Sequence, residues 1–441
     1  MVEKFLTVVL LAAALTFAQT NPGPRPGPPP AAPPAPATGI PFPGLNASQL
    51  AYFNAGLVRF TEVDSVSGTQ PGATGTGLGP RFNSNSCASC HAHPAIGGSS
   101  PQLNPQIAVG TSYGATNTIP AFITQNGPVR VVRFVKNPDG SADGGVHDLF
   151  VITGRSDATG CNIAQPDFAT AVSQNNTSLR IPTPLFGAGL IEAIQDSTIL
   201  ANVTANAQAK AALAIAGFPN RSANDGTITR FGWKAQNKSL AIFGGEAYNV
   251  EQGVTNELFP TERDETPGCG FNPTPEDRTD YTASSLLQGM SDVTGFAAFM
   301  KFLAPPVPQP DTPSIANGRQ VFSQIGCALC HTPTMNTGDA FEPELRNQQV
   351  HLYSDLLVHN MGTGLADGIQ QGIAQGNEWR SAPLWGLGQR LFFLHDGRTS
   401  DLTQAILAHA SAGSEANGVV AGFNALPAGA KQDLINFLNS L

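Results

Sequence analysis

Cys87-Ala88-Ser89-Cys90-His91 and Cys327-Ala328-Leu329-Cys330-His331 are two copies of one pattern, C-x-x-C-H. Two thiols three positions apart, with an imidazole directly after the second, form the attachment sequence of c-type haem. Each cysteine makes a thioether to a haem vinyl group, and the histidine reaches the iron as its proximal ligand. Two C-x-x-C pairs also suit a four-cysteine zinc site, but zinc gives no reason for a histidine after both pairs. With only 6 Cys and 8 His in 441 residues, a chance double match is negligible. The sequence therefore specifies two covalently bound c-type haems, with His91 and His331 as iron ligands.

A haem is a large apolar plate, and irregular chain can be ordered by packing on it. The composition agrees: Gly 47 and Pro 36 imply long irregular segments, and charged residues are 12%, about half the usual ~25%. The net charge of -9 and pI near 5.3 argue against nucleic acid as a partner. They suit a small basic redox protein, as electron donor or acceptor, docking near a haem edge.

Residues 1–18 have the pattern of a secretory signal: Lys4, an apolar run from Leu6 to Leu15, then Thr16-Phe17-Ala18 at a cleavage-like site. The run is short for a membrane span of ~20 residues, so a membrane association would come only through an uncleaved signal. Export to the bacterial periplasm agrees with haem attachment, which occurs outside the cytoplasmic membrane. Residues 19–44 form a Pro-rich linker. The two cysteines outside the motifs, Cys161 and Cys269, are most simply a disulfide in an exported chain. Loop entropy would give such a bridge ~4–5 kcal/mol.

Leu50, Phe53, Leu57 and Phe60 fall at helical spacing behind Asn46, with Gln49 placed for a capping box. Thr312-Pro313 opens a comparable helix carrying Ile315, Val321, Phe322 and Ile325. Both contain Gly-x-x-x-Phe (Gly56 to Phe60, Gly318 to Phe322), and each half closes with an apolar helix, 292–303 and 431–441. The expected fold is mainly α: two cytochrome c-like haem domains, 45–310 and 311–441. The first carries a long loop-rich insertion, about 102–277, with short strands near Val129–Val135 and Leu149–Thr153, capping the first haem and the cleft.

Several segments carry a family resemblance: CASCHAHPAIGG (87–98), TGRSDATGCNIAQPDF (153–168), IPTPLFGAGLIEAI (181–194), NDGTITRFGWKAQ (224–236), residues 246–260, EWRSAPLWGLG (378–388) and LHDGR (394–398). On these the chain resembles the di-haem oxidoreductase (peroxidase) family, distant relatives of bacterial di-haem cytochrome c peroxidases. The resemblance covers nearly everything after the Pro-rich linker. It implies a distal glutamate and a sixth ligand for the C-terminal haem, carried on a helix after a His-Asp-Gly turn.

Here His395-Asp396-Gly397 precedes a helix in which Leu402, Ile406 and His409 share one face. His409 is thus the candidate sixth ligand, with Met361 competing and a satisfied core histidine as the plain alternative. Glu192 sits in the apolar run Leu190-Ile191-Glu192-Ala193-Ile194 and is the candidate distal acid–base residue. A structural ion pair, with Arg155 or Arg180, is its alternative. His147 could be a distal ligand of the first haem, and His93 a propionate or loop contact. Trp233 and Trp385 could relay electrons between haems, and Arg155, Arg380 and Arg398 suit propionates; core packing and surface pairing are the respective alternatives.

The resulting expectation is an exported di-haem peroxidase or peroxide-driven oxidase, with hydrogen peroxide as substrate. One haem, the first, is reactive, and the other transfers electrons. A non-catalytic di-haem electron carrier is the runner-up, and a substrate-specific oxygenase or protein-modifying oxidase a third reading.

Overall fold

The computed structural model describes residues 38–441, so the signal-like segment 1–18 and most of the Pro-rich linker lie outside the described residues. Helix α1 (Ala47–Thr61) begins with the expected capping box: the Asn46 side chain accepts from the Ser48 and Gln49 amides, and Gln49 returns a bond to the Asn46 amide. Helix α2 (Leu240–Gln252) follows much later in the chain, then α3 (Asp292–Phe302). Helices α1 and α3 cross at Gly56 and Gly295. A Cβ on Gly56 would sit 2.2 Å from the Gly295 carbonyl oxygen, so only glycine permits this approach. Phe53 and Phe60 then pack on Phe299.

The second half repeats this arrangement. Helix α4 (Pro313–Gln324) is capped by Thr312 and holds proline in its first turn. After the short α5 (Leu402–Ala408), α6 (Ala428–Ser440) closes the chain, starting three residues before the expected position. Helices α4 and α6 cross at Gly318, where a Cβ would lie 2.0 Å from the Asp433 carbonyl. Phe322 meets Phe437 edge-on at 5.4 Å. The Gly-x-x-x-Phe repeat is therefore one device used twice: glycine lets the helices touch, and the phenylalanine one turn later fills the core beside them.

The fold is helix-rich, with few and short strands. Strand β1 (Val131–Phe134) pairs antiparallel with β2 (Thr177–Arg180), and Phe150–Val151 pairs with Arg81–Phe82, near the two expected strand positions. Strands β3 (Val358–Asn360) and β4 (Glu378–Arg380) form another ladder, in a half for which the sequence pattern suggested none. They are too short for alternation to be visible. Under β1 and β2 an apolar cluster includes Phe82, Phe150, Ile152 and the Cys161–Cys269 disulfide, which closes a loop of 108 residues as expected.

The halves are joined by buried charge. Asp367 accepts from Arg180 at 2.6 Å and from Lys234 at 3.2 Å, all with almost no solvent exposure. Phe218 and Val358 exchange backbone hydrogen bonds nearby. No helix of the described residues is long and apolar enough to cross a membrane.

Candidate functional site

The two C-x-x-C-H segments each make a single turn, closed by the histidine amide donating to the first cysteine carbonyl (His91 to Cys87, 3.0 Å; His331 to Cys327, 2.9 Å). All four motif cysteines are unbridged thiols. In each case the imidazole Nδ1 lies 3.0 Å from a backbone carbonyl, Gly98 for His91 and Tyr353 for His331. Such a bond fixes the tautomer and leaves Nε2 as the ligating nitrogen. Burial lowers both histidines to about 4, so both are neutral and ready to bind metal at neutral pH.

Each motif opens into a large cavity. The first has about 1140 Å³ free of protein atoms and the second about 1390 Å³, solvent at the mouth included. The walls are largely apolar, with Cys87, Cys90 and His91 on the first and Cys327, Cys330 and His331 on the second. The cavities, their paired thiols and their oriented imidazoles fit haem. Unpaired buried guanidinium nitrogens add to the fit: Arg133 Nε and Arg180 Nε at the first cavity, and Arg390 Nε at the second, have no partner among the described residues. Arg380 and Arg390 line the second cavity with no carboxylate bound to either. Burial lowers both to about 10, which suits two propionate anions.

The second cavity gathers what the sequence suggested for it. His409, at the end of α5, lines it together with Met361. His409 Nδ1 lies 2.7 Å from the Ala405 carbonyl, which again leaves Nε2 for a metal, and burial keeps the ring neutral. His395 also lines this cavity, stacked on Trp379 with ring centroids 3.7 Å apart. His359 was not singled out from sequence. It is clamped by Asp355 (3.1 Å) and Glu415 (2.8 Å), and those carboxylates hold it charged. An imidazolium bonded at both nitrogens is not a ligand candidate.

The first cavity corrects several expectations. Glu192 does not line it. Its carboxylate accepts from the Leu240 amide at 2.8 Å, at the start of α2, and lies 3.7 Å from Lys301. The apolar run around Glu192 reflects a short helix, 188–193, whose buried face carries the apolar residues and whose half-buried end carries the acid. The ion pair is with Lys301, and neither Arg155 nor Arg180 takes part. His147 is stacked on Phe134 and bound to Asp143, and lines neither cavity. His93 lines neither as well. Arg155 is consumed by Asp157, and Arg398 by Asp396 and the Gly364 carbonyl, so Arg380 alone of the three proposed propionate arginines reaches a cavity.

What does face the first cavity is α2, which supplies Phe243, Gly244, Glu246, Ala247, Val250 and Glu251. Burial, then the nearby Asp148 charge, raises Glu251 to about 8. Glu246 is held by Asn237 at 2.5 Å. Glu251 sits beside the stripe Phe243, Ala247, Val250 (i, i+4, i+7), and an acid next to an apolar stripe was the available signal. Arg390 left a similar one, as the lone charge in the apolar run 384–394. Met300 of α3 is the thioether on this cavity's wall.

Trp233 lines both cavities, with its indole N–H donating to the Ile181 carbonyl at 2.9 Å. Its ring stands edge-on to His395 at 6.4 Å. Trp385 is buried in a small pocket between the cavities and lines neither.

The sequence model of the family described as "Di-haem oxidoreductase, putative peroxidase" matches residues 135–441. The chain belongs to the di-haem oxidoreductase family. Membership makes it a redox enzyme with two haems, in agreement with the two cavities. No curated protein matches. Solved structures are more distant. The chain is similar to hydrazine synthase of Kuenenia stuttgartiensis at 12% identity and a TM-score of 0.36, over 100% of both chains. It is similar to a variant of the diheme peroxidase BthA from Burkholderia thailandensis at 13% identity and a TM-score of 0.38, over 91% of this chain and 87% of that one. A MauG-like protein associated with microbial copper homeostasis matches at 17% identity and 0.25, over 36% and 55%.

Proposed function

We propose that this di-haem oxidoreductase is an exported peroxidase or peroxide-driven oxidase. Its parts are a haem domain of residues 45–310 that takes peroxide and one of 311–441 that passes electrons. Both haems are held by thioethers, the first at Cys87 and Cys90 and the second at Cys327 and Cys330. The supporting observation is the unequal furnishing of the cavities: His331 shares its cavity with His409, whereas His91 shares its own with two glutamates and no second histidine. When bound, the haem irons supply the redox chemistry and the peroxide site.

The protein residues do the rest. Glu251, largely protonated near neutral pH, is poised near the pKa at which a group both takes and returns a proton. It removes a proton from the near peroxide oxygen and delivers it to the leaving one. Glu246, fixed by Asn237, orients the polar side of the pocket. Trp233, which lines both cavities, offers an aromatic route between them. Arg380 and Arg390 anchor propionates, and a small basic redox protein supplies electrons.

Electron paramagnetic resonance of the oxidised protein tests this reading. One high-spin and one low-spin ferric haem are expected, and peroxide should consume the high-spin signal. Two low-spin haems would favour the electron-carrier reading, with Met300 as the sixth ligand at the first site, since its side chain lines that cavity.

A further inference from the structure

Tyr248 is 2% exposed and lies on α2, yet it does not line the cavity that this helix crosses. Its ring stands edge-on to Phe296 with centroids 5.0 Å apart. Phe296 lines the first cavity and meets Phe60 at 6.2 Å, and Phe60 meets His91 at 6.0 Å. One aromatic ring therefore separates the phenol from the first haem site. Its hydroxyl donates to Asp292 Oδ2 at 3.0 Å and has Asp64 Oδ2 at 3.5 Å.

A buried phenol needs one acceptor, and two carboxylates are more than packing explains. Their surroundings divide the roles. Around them stand Arg59 from α1 and Glu62 at its C-terminal cap, Gln252 from α2, and Glu276 and Asp277 from the loop before α3. Burial, then the neighbouring acids, pushes Asp64 well above the carboxylate range, so it holds its proton. Burial raises Asp292 as well, but Arg59 at 3.2 Å and the phenol O–H pull it back, and it sits in the first turn of α3, where the helix dipole favours an anion. Asp292 is thus the base beside the phenol.

We propose that Tyr248 is a redox-active tyrosine serving the first haem site. This rests on the peroxide reading above. When peroxide has oxidised that site and no electron arrives from the second, Tyr248 gives up one electron toward it and passes its phenolic proton to Asp292. Tyr248 becomes a neutral phenoxyl radical and Asp292 a carboxylic acid. The electron is one of the two that, with two protons, convert hydrogen peroxide into two waters. Re-reduction of the radical by the electron donor returns the proton from Asp292.

A phenol yields an electron readily only when its proton leaves with it, and this separates Tyr248 from Tyr113, Tyr353, Tyr281, Trp233 and Trp379. Tyr113 bonds a carbonyl, Tyr353 faces the Arg319 cation, and Tyr281 is 90% exposed. The indoles of Trp233 and Trp379 donate to the carbonyls of Ile181 and Leu365, which are not bases. Trp379 also lies under Lys234 at 4.1 Å and Arg180 at 5.2 Å, cations that oppose removal of an electron.

The test is freeze-quench paramagnetic resonance of the diferric holoprotein mixed with hydrogen peroxide, with the haem absorption bands followed in parallel. A tyrosyl signal, narrowed by deuterated tyrosine and untouched by deuterated tryptophan, is expected in the wild type. It should vanish in Tyr248→Phe, which keeps the ring on Phe296, and fall in yield in Asp292→Asn, while the haem bands respond as before. Responding haem bands with no tyrosyl signal, or with one that survives Tyr248→Phe, overturn the role of Tyr248 alone. Haem bands that ignore peroxide in the wild type overturn the peroxide reading and this proposal with it.

Discussion

The two cavities share a scaffold and differ in what lines them besides the proximal histidine. In both, a glycine-mediated helix crossing stands beside a C-x-x-C-H turn, and the histidine Nδ1 bonds a carbonyl at 3.0 Å. Besides that histidine, the second cavity is lined by His409 at the end of a seven-residue helix, and the first by the face of α2 with Glu246 and Glu251. The holding part is thus repeated, whereas the rest of the lining differs. A wall with a neutral imidazole closes a metal site, and a wall with a carboxyl near neutral pKa leaves room for a substrate that must exchange protons.

The most severe way to break this comparison is to remove one haem at a time. Cys90→Ala and Cys330→Ala should each lose one haem from the pyridine haemochrome count and fold less stably, because cofactor binding is coupled to folding. The two variants should not be spectroscopic equivalents. Cys90→Ala should lose the high-spin species and Cys330→Ala the low-spin one. Loss of the same species from both would show that the cavities do not differ as their walls suggest.

The next largest effect is on peroxide. Glu251→Gln should slow the reaction of the oxidised protein with peroxide by ~10²–10⁴, the usual worth of general acid–base catalysis. Glu192→Gln, which keeps an acceptor for the Leu240 amide, should leave the rate near wild type. The wild-type rate should rise with pH toward about 8, where Glu251 loses its proton, and level off above. That rise should be missing in Glu251→Gln. Equal losses in both glutamate variants would place the acid–base role elsewhere. Smaller in energy but sharper in reading, His409→Gly should convert the low-spin haem to high-spin with both haems retained, whereas Met361→Leu should change little. The reverse pattern would transfer the ligand role to Met361.

What could be read from sequence follows the range of the forces involved. The Asn46 capping box and the Thr312-Pro313 helix start depend on neighbours within about one turn, and both appear as expected. The Gly-x-x-x-Phe repeat was visible, but the crossings it permits join residues far apart along the chain and were not. The Cys161–Cys269 bridge was legible by elimination. Glu192 was misread because an apolar neighbourhood in sequence does not say which flank of a short helix is buried. Glu251 was overlooked because its environment is assembled from β1, the loop at Asp148 and α2, which are far apart along the chain. Arg155 and Arg398 looked available for propionates, but each has an aspartate two residues away that claims it.

The smallest expected effect concerns stability, and it again divides the halves. Beside α1 and α3 lies a set of carboxyls raised mainly by burial: Glu62 and Glu276 to about 7, and Asp277 to about 6, from ordinary values of 4.5, 4.5 and 3.8. The native state holds these protons more tightly than the unfolded chain. Their contribution is therefore fully present below about pH 4 and is lost as pH rises through 6 to 7. In the second half the signs differ. Asp355 and Glu415 are lowered by His359, and their contribution disappears only on acidification. His359 is raised well above its ordinary value of 6.5, so its contribution is full below about 6.5 and is lost progressively from there up to the raised value. Raising pH from 5 to 6.5, before His359 begins to lose its contribution, should thus weaken the first half and spare the second. Hydrogen exchange, corrected for intrinsic rates, should show falling protection in α1 and α3 relative to α4 and α6. Glu62→Gln should flatten part of that trend by removing one titrating member of the set. An equal fall in all four helices would mean that the halves unfold as one unit, and that the buried bridge from Asp367 to Arg180 and Lys234 couples them more strongly than the local carboxyls divide them.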